Sequence, residues 1–195
     1  DWIAEHGIIA IGLPTTLDDP RLPELYDPYY EPIWATCADH ELVLLLHAPG
    51  VRVRQGNTFA VNERLAEIAG GNFNPAKLSE AAMTLRSEEG TNHFELDLSA
   101  RQAMFQLMAS GVFDRHPSLK LVLTELRADW VPETLRLLDA LVEESSLDIQ
   151  RKPSEYWLTN CFVTPSSIRP TEVELRHEIG VDRLMFGRDY PHPEG

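Results

Sequence analysis

Residues 184–194 read LMFGRDYPHPE, and this stretch bears most directly on the fold. A short apolar run leads into Asp189, and Pro191 and Pro193 then prevent the chain from continuing as a helix or a strand. A buried strand that ends beside a carboxylate is typical of parallel barrels, whose catalytic residues follow the carboxyl ends of strands. Asp189 and His192 are therefore candidates for metal binding or proton transfer. An Asp that only caps the turn beside proline is an equally good interpretation of this segment alone.

The rest of the chain alternates between apolar runs and segments with helical spacing. The apolar runs of strand length predict strands over residues 7–12, 42–46, 119–124, 160–163 and 183–187. Helices are predicted to begin at Asp27–Pro28, at a capping box at Ser99 and at Pro132, and to span residues 171–179. Strands and helices that alternate with short connections form right-handed crossovers. The sequence therefore predicts an α/β fold built on a parallel sheet.

One long stretch, at about residues 50–97, interrupts this alternation. It follows the strand over residues 42–46, where a few residues would suffice to reach the next helix. An insertion at the carboxyl end of a strand lies on the face where parallel barrels keep their active sites. We expect either a lid, a substrate wall or an oligomer contact, or else a tolerated surface excursion.

Composition excludes several classes of partner. Apolar residues make up 43% and charged residues 25% of the chain, as in globular proteins. The net charge is −14 and lysine and arginine do not cluster, which argues against nucleic acid and membrane surfaces as partners. Cys37 and Cys161 form no CxxC pair, and no run has the form of a membrane span or a signal peptide. We therefore expect a cytoplasmic location, and a chain that starts at Asp1 without Met is expected to be a fragment.

Three predicted strands end in side chains that bind metals or transfer protons. His47 and Glu125 directly follow their strands, and Asp189 lies two residues beyond the last strand. A lone His after an apolar run is more often a core or turn residue, and Glu125 alone would more often pair with Arg127 in solvent. All three at the ends of parallel strands should meet at one edge of the sheet. Imidazole and carboxylate together favour Zn²⁺ or a similar divalent ion.

The chain resembles the amidohydrolase-related family of metal-dependent barrel enzymes, which includes the aminocarboxymuconate-semialdehyde decarboxylase type. The resemblance rests on residues 27–50, which end in His-x-x-Gly, on 111–123 (GVFDRHPSLKLVL) and on 180–192 (GVDRLMFGRDYPH). It implies a TIM-type (β/α)8 barrel, of which this chain would be a C-terminal part with about strands 4 to 8 and without the first strands. Residues 1–195 would form one domain that carries the insertion.

The resemblance also implies roles for individual residues. In that family the position of His47 binds the metal, and that of Asp189 is a metal ligand that accepts a proton in the hydrolases. Glu125 stands where the family typically has a catalytic histidine, so it is expected to be a carboxylate ligand or a general base, or else the chemistry differs from that of the histidine-bearing decarboxylases. The expected metal is Zn²⁺. No two of the seven histidines are separated by one residue, so the family's His-x-His pair would lie upstream.

Arg127, Arg188 and His192 are the candidates for contacts to a substrate carboxylate, although each alone is more often structural. Arg188 stands where a small residue is more usual, and it could equally hold Asp189 ionised. His116 and His177 are interpreted as surface residues.

Three functions are compatible with these residues. The first is a metal-dependent hydrolase that acts through metal-activated water on a small, carboxylated molecule. The second is a carboxy-lyase, a non-oxidative decarboxylase that uses the same metal. The third is a non-catalytic barrel remnant with a scaffold role. A homo-oligomer is expected for the full-length form.

Overall fold

The computed structural model describes residues 2–13, 21–47, 90–188 and 190. Four parallel strands in these residues form one sheet in the order β1-β2-β3-β4, and they are β1 (Ala10–Leu13), β2 (Val43–His47), β3 (Lys120–Thr124) and β4 (Cys161–Thr164). Spatial order thus follows chain order, as in successive βα units that cross over to the adjacent strand. The predicted α/β fold with a parallel sheet is confirmed, and the partial barrel stays a prediction.

Helices occupy the connections between the strands. The described helices are α1 (Trp2–Glu5), α2 (Glu31–Asp39), α3 (Gly90–Ala109), α4 (Val112–Arg115), α5 (Val131–Glu143), α6 (Pro153–Asn160) and α7 (Pro170–Ile179). Two short 3₁₀ helices, Pro28–Tyr30 and Val181–Arg183, complete the elements. Asp27 caps the first of these by accepting the Tyr29 N–H at 2.8 Å, as its place before Pro28 predicts.

The core lies between the sheet and these helices. Leu44 and Leu46 of β2 are fully buried, and so are Leu121 and Leu123 of β3. Helix side chains complete the core, the largest of them from Trp34, Met104, Leu107, Phe113, Tyr156 and Trp157. Both cysteines are free and buried, in agreement with the absence of a predicted disulfide, and burial raises the pKa of each thiol. Among the residues described, no helix has the length and apolar character that a membrane span requires.

The last predicted strand, residues 183–187, is largely wrong. Gly180, with φ 99°, ends α7, and the 3₁₀ turn over Val181–Arg183 includes the first residue of the predicted strand. Only one parallel bridge remains, between Leu184 and Val163, with the Met185 N–H donating to Val163 O at 2.8 Å. That bridge still places the segment beside β4.

The start of one helix differs from the prediction, and another helix was not predicted. Ser99 lies inside α3, which already begins at Gly90, because a local capping pattern does not stop a helix that propagates through it. Residues 90–97, assigned to the insertion, are therefore helical, whereas the rest of the insertion, residues 50–89, lies outside the described residues. Helix α6 was not predicted, because its eight residues carry too few apolar positions to show a period.

Candidate metal and catalytic site

His47 and Glu125 meet at the carboxyl ends of two neighbouring strands. In the register of β2 and β3, His47 is paired with Thr124, so that Glu125 lies one residue further on. The Nε2 atom of His47 lies 3.0 Å from Oε1 of Glu125. Their side chains are 58% and 34% exposed, so the pair is open to solvent. The juxtaposition expected from the sequence for these two residues is present, and their chemical roles stay predictions.

The backbone of Glu125 has an unusual conformation. Its φ of 57° lies in the left-handed region, which residues other than glycine seldom adopt. Its N–H donates to Thr164 O at 2.8 Å, at the end of β4. Such a conformation persists where the surroundings enforce it, and it is concentrated at functional sites. This backbone turn ends β3 and leaves the Glu125 carboxylate next to the His47 ring.

The spacing of the pair suits a shared ion as well as a direct hydrogen bond. Two ligand atoms that each lie about 2.1 Å from one ion, at right angles, are about 3 Å apart. The observed separation of 3.0 Å between Nε2 and Oε1 matches that distance. An imidazole nitrogen and a carboxylate oxygen are also ordinary ligands of divalent ions. Within the described residues no group of three or more metal-binding side chains is found.

The remaining predicted site residues are placed less completely. Asp189 and His192 lie outside the described residues, so the structure gives no position for the proposed third ligand. Arg188 is exposed and follows Gly187 directly. Gly187 itself packs tightly on the end of β4, because a Cβ there would lie 2.5 Å from Pro165 O and 2.6 Å from Thr164 Oγ1. The segment that leads to Asp189 thus runs along the same edge of the sheet as Glu125.

Arg127 does not pair with Glu125, the alternative that the sequence left open. Its guanidinium contacts the carboxylate of Asp129, while Glu125 contacts His47. The Arg127 side chain is 42% exposed, and a contact to a substrate carboxylate stays a prediction.

The interpretation of His116 as a surface residue is wrong. Its side chain is only 16% exposed, and its Nε2 lies 2.8 Å from Glu31 Oε1. Arg115 binds the same carboxylate and, together with His116, lowers the pKa of Glu31. His177 is exposed, as predicted.

One residue near the site was missed by the sequence. Glu172 is completely buried, and its two oxygens accept the N–H groups of Ala128 at 2.7 Å and of Arg169 at 2.8 Å. The signal for its capping role is the pattern Arg-Pro-Thr-Glu at the start of α7. Its contact with Ala128, 44 residues earlier in the chain, has no signal in a single sequence.

A parallel α/β sheet with imidazole and carboxylate groups at the strand ends is compatible with barrel-type metal enzymes, whose catalytic residues follow the carboxyl ends of strands. The sequence profile of one such family, the amidohydrolases, matches residues 1–195, and the chain belongs to this family. The resemblance stated from the motifs is thereby confirmed.

Among its curated relatives is the gamma-resorcylate decarboxylase of Rhodococcus jostii (strain RHA1). The two are 27% identical over 188 residues, which are 90% of this chain and 48% of the relative. The chain thus spans about half the length of that relative.

Solved structures share the fold. An amidohydrolase from Mycobacterium avium subsp. paratuberculosis K-10 has a TM-score of 0.66 and 23% identity, covering 100% of this chain and 45% of its own. The dihydroxybenzoic acid decarboxylase from Polaromonas sp. JS666, solved with bound manganese and 2-nitroresorcinol, has a TM-score of 0.60 and 22% identity, covering 97% of this chain and 52% of its own.

Proposed function

We propose that the protein is a metal-dependent, non-oxidative decarboxylase of small aromatic carboxylic acids. The observation that carries the proposal is the contact of His47 Nε2 with Glu125 Oε1 at the carboxyl ends of adjacent parallel strands, in a chain of the amidohydrolase family. The chemistry of the relative from Rhodococcus favours decarboxylation over the hydrolysis that the sequence put first.

His47 and Asp189 are the proposed metal ligands, with Glu125 beside them. A divalent ion bound there supplies a Lewis acid for the oxygen atoms of the substrate. The manganese in the decarboxylase from Polaromonas makes Mn²⁺ a candidate alongside Zn²⁺.

The residues of the chain have separate tasks in this reaction. The bond from the ring carbon to the carboxylate breaks, its electron pair stays on the ring carbon, and a proton takes the place of CO₂. Glu125 is the proposed proton donor, because its carboxylate lies beside His47 after the carboxyl end of β3 and is 34% exposed. Asp189 is the second proton carrier, and Arg127, Arg188 and His192 hold the anionic substrate.

The test compares the two chemistries on the same enzyme. The protein is incubated with gamma-resorcylate and Mn²⁺ or Zn²⁺, and CO₂ and resorcinol are quantified. In parallel, amide and lactone substrates are assayed for hydrolysis. We expect CO₂ and resorcinol in equal amounts, loss of activity with a chelator and recovery on adding the metal.

Two results would contradict the proposal. Hydrolysis without CO₂ release from a panel of hydroxybenzoates would favour the hydrolase. No turnover, together with no stoichiometric metal in the purified protein, would favour the non-catalytic remnant.

Assembly is a separate part of the proposal. Ile9, next to β1, is 76% exposed, and Phe186, beside β4, is 82% exposed. Large apolar side chains exposed at both edges of the described sheet would be covered by further strands of a barrel or by a second subunit, and the homo-oligomer expected for the full-length form stays a proposal. Light scattering after size-exclusion chromatography measures the mass, and a monomer at all concentrations would exclude this part.

A further inference from the structure

Helices α6 and α7 begin with the same four-residue pattern. Residues 152–155 read KPSE and residues 169–172 read RPTE. In both, proline occupies the first turn and the glutamate accepts the N–H of the residue before the helix, Glu155 from Lys152 at 2.8 Å and Glu172 from Arg169 at 2.8 Å. The two glutamates are therefore equivalent as helix caps.

They differ in burial and in what the second oxygen does. Glu155 is exposed, whereas Glu172 is 0% exposed. Oε1 of Glu172 accepts the Ala128 N–H at 2.7 Å. Burying a carboxylate is costly, and two N–H donors at a helix N-terminus offset that cost. A cap alone does not require burial, as Glu155 demonstrates, so the contact with Ala128 is what distinguishes Glu172.

Ala128 belongs to the loop that carries Glu125. This loop runs from the end of β3 at Thr124 to the start of α5, and Ala128 within it is fully buried. Two hydrogen bonds tie the loop backbone to the next βα unit: Glu125 N–H to Thr164 O at 2.8 Å, and Ala128 N–H to Glu172. Without the bond from the Ala128 N–H, only the bond from the Glu125 N–H of these two would hold the loop, whose backbone is already strained at Glu125.

We propose that Glu172 is a positioning residue, which fixes the loop after β3 through the Ala128 N–H so that the Glu125 carboxylate meets His47. The catalytic consequence rests on the decarboxylase function proposed above, whereas the effect on the loop does not.

The test compares Glu172→Gln with Glu155→Gln. Each variant leaves one acceptor oxygen beside an NH₂ group, which cannot accept a hydrogen bond. Glu155→Gln can keep its bond to the Lys152 N–H with that oxygen, whereas Glu172→Gln cannot accept both the Ala128 and the Arg169 N–H groups. For Glu172→Gln we expect amide hydrogen exchange at residues 126–128 to be about tenfold faster and the imidazole NMR signal of His47 to move. We also expect kcat for CO₂ release to fall between about tenfold and about a hundredfold, with KM within about twofold. Glu155→Gln should leave the exchange, the signal and kcat at the wild-type values.

Thermal melting of both variants separates positioning from stability. We expect a larger fall in Tm for Glu172→Gln, because only Glu172 is buried, so exchange and kcat are measured well below both Tm values. Loop and kcat effects under these conditions only in Glu172→Gln support the proposal. Wild-type exchange and a wild-type His47 signal in Glu172→Gln, or equal changes in Glu155→Gln, would overturn it. If Glu172→Gln does not fold, Glu172→Asp replaces it, since it keeps the charge but is one methylene too short for Ala128. If the wild type releases no CO₂, the decarboxylase proposal fails, and the exchange and NMR measurements still decide the role of Glu172.

Discussion

The two ends of the parallel sheet are built in opposite ways. At the amino end, the buried side chain of Asn160 donates to Pro117 O at 3.1 Å and Leu119 O at 2.8 Å, and so joins the starts of β3 and β4. At the carboxyl end, His47 and Glu125 contact each other while remaining 58% and 34% exposed. Polar groups are thus satisfied and covered at one end, and left accessible at the other. This division matches barrel proteins, in which one face contributes stability and the other carries the chemistry.

The amino-end network extends beyond Asn160. Arg151 donates to Phe113 O at 2.8 Å and to Thr159 Oγ1 at 2.9 Å, and the Tyr156 hydroxyl donates to Asp114 at 2.5 Å. These bonds connect α4 with α6 and with Arg151 before it, and they are part-buried or exposed. Losing one member of such a network leaves its partners unpaired.

The largest expected effect is at the carboxyl end. His47→Ala should lower kcat/KM for decarboxylation by about a thousandfold, because it removes a proposed metal ligand and the partner of Glu125. The Tm should stay within about 2 °C of the wild type, since the side chain is more than half exposed. Steady-state kinetics and calorimetry measure the two quantities. The matched control is His177→Ala, an exposed histidine of α7. Activity of His47→Ala within a few-fold of this control would reject the site.

Asn160→Ala tests the amino end, where we expect a loss of stability with unchanged activity. Truncation leaves the buried Leu119 carbonyl and the part-buried Pro117 carbonyl without this donor, which costs about 2–3 kcal/mol in the free energy of unfolding. Urea unfolding measures that loss, and kcat per folded molecule should be unchanged. Leu158→Ala, at an exposed position of the same helix, is the control and should cost less than about 1 kcal/mol. Equal losses in both variants would mean that the Asn160 bonds contribute little.

The contrast between the ends also explains what the sequence could predict. Apolar runs indicated the strands, and parallel topology then placed His47 and Glu125 at one edge before any distance was known. The burial of Glu172 and the partial burial of His116 depend on residues distant in the chain, on Ala128 and Glu31, and a local pattern carries no such information. The same holds for α6, whose buried face is defined by packing and not by a visible period. For Asp189, the sequence prediction still stands alone, because this residue lies outside the described part of the chain.

Gly187→Ala addresses the path from β4 towards Asp189. A new Cβ would lie 2.5 Å from Pro165 O, a backbone atom that yields little, so the segment must shift. We expect a loss of about 1–2 kcal/mol in the free energy of unfolding and about a tenfold lower kcat. This variant thus combines the stability loss expected at the amino end with the activity loss expected at the carboxyl end. Gly12→Ala in β1 is the matched control, because nothing lies within 4 Å of its added Cβ. Wild-type kinetics for Gly187→Ala would show that Asp189 is positioned independently of this contact.

The smallest effect concerns Tyr156 and the pH dependence of stability. Burial, followed by the bond to Asp114, raises the pKa of Tyr156 from 10.0 to about 12. Because the folded-state pKa lies above that of the unfolded chain, the hydroxyl contributes fully below pH 10, and its contribution is lost as the pH rises towards about 12. Between pH 10 and pH 11 the free energy of unfolding of the wild type should therefore fall by about 1 kcal/mol more than that of Tyr156→Phe. The other titrating groups are the same in both proteins, so their effects cancel when the two falls are subtracted. Urea unfolding at the two pH values measures this, and Tyr26→Phe, at an exposed tyrosine, should keep the wild-type slope. Equal falls in the free energy of unfolding for wild type and Tyr156→Phe would mean that the hydroxyl ionises as easily in the folded protein as in the unfolded chain. The Tyr156 hydroxyl would then be more accessible to solvent than its hydrogen bonds indicate.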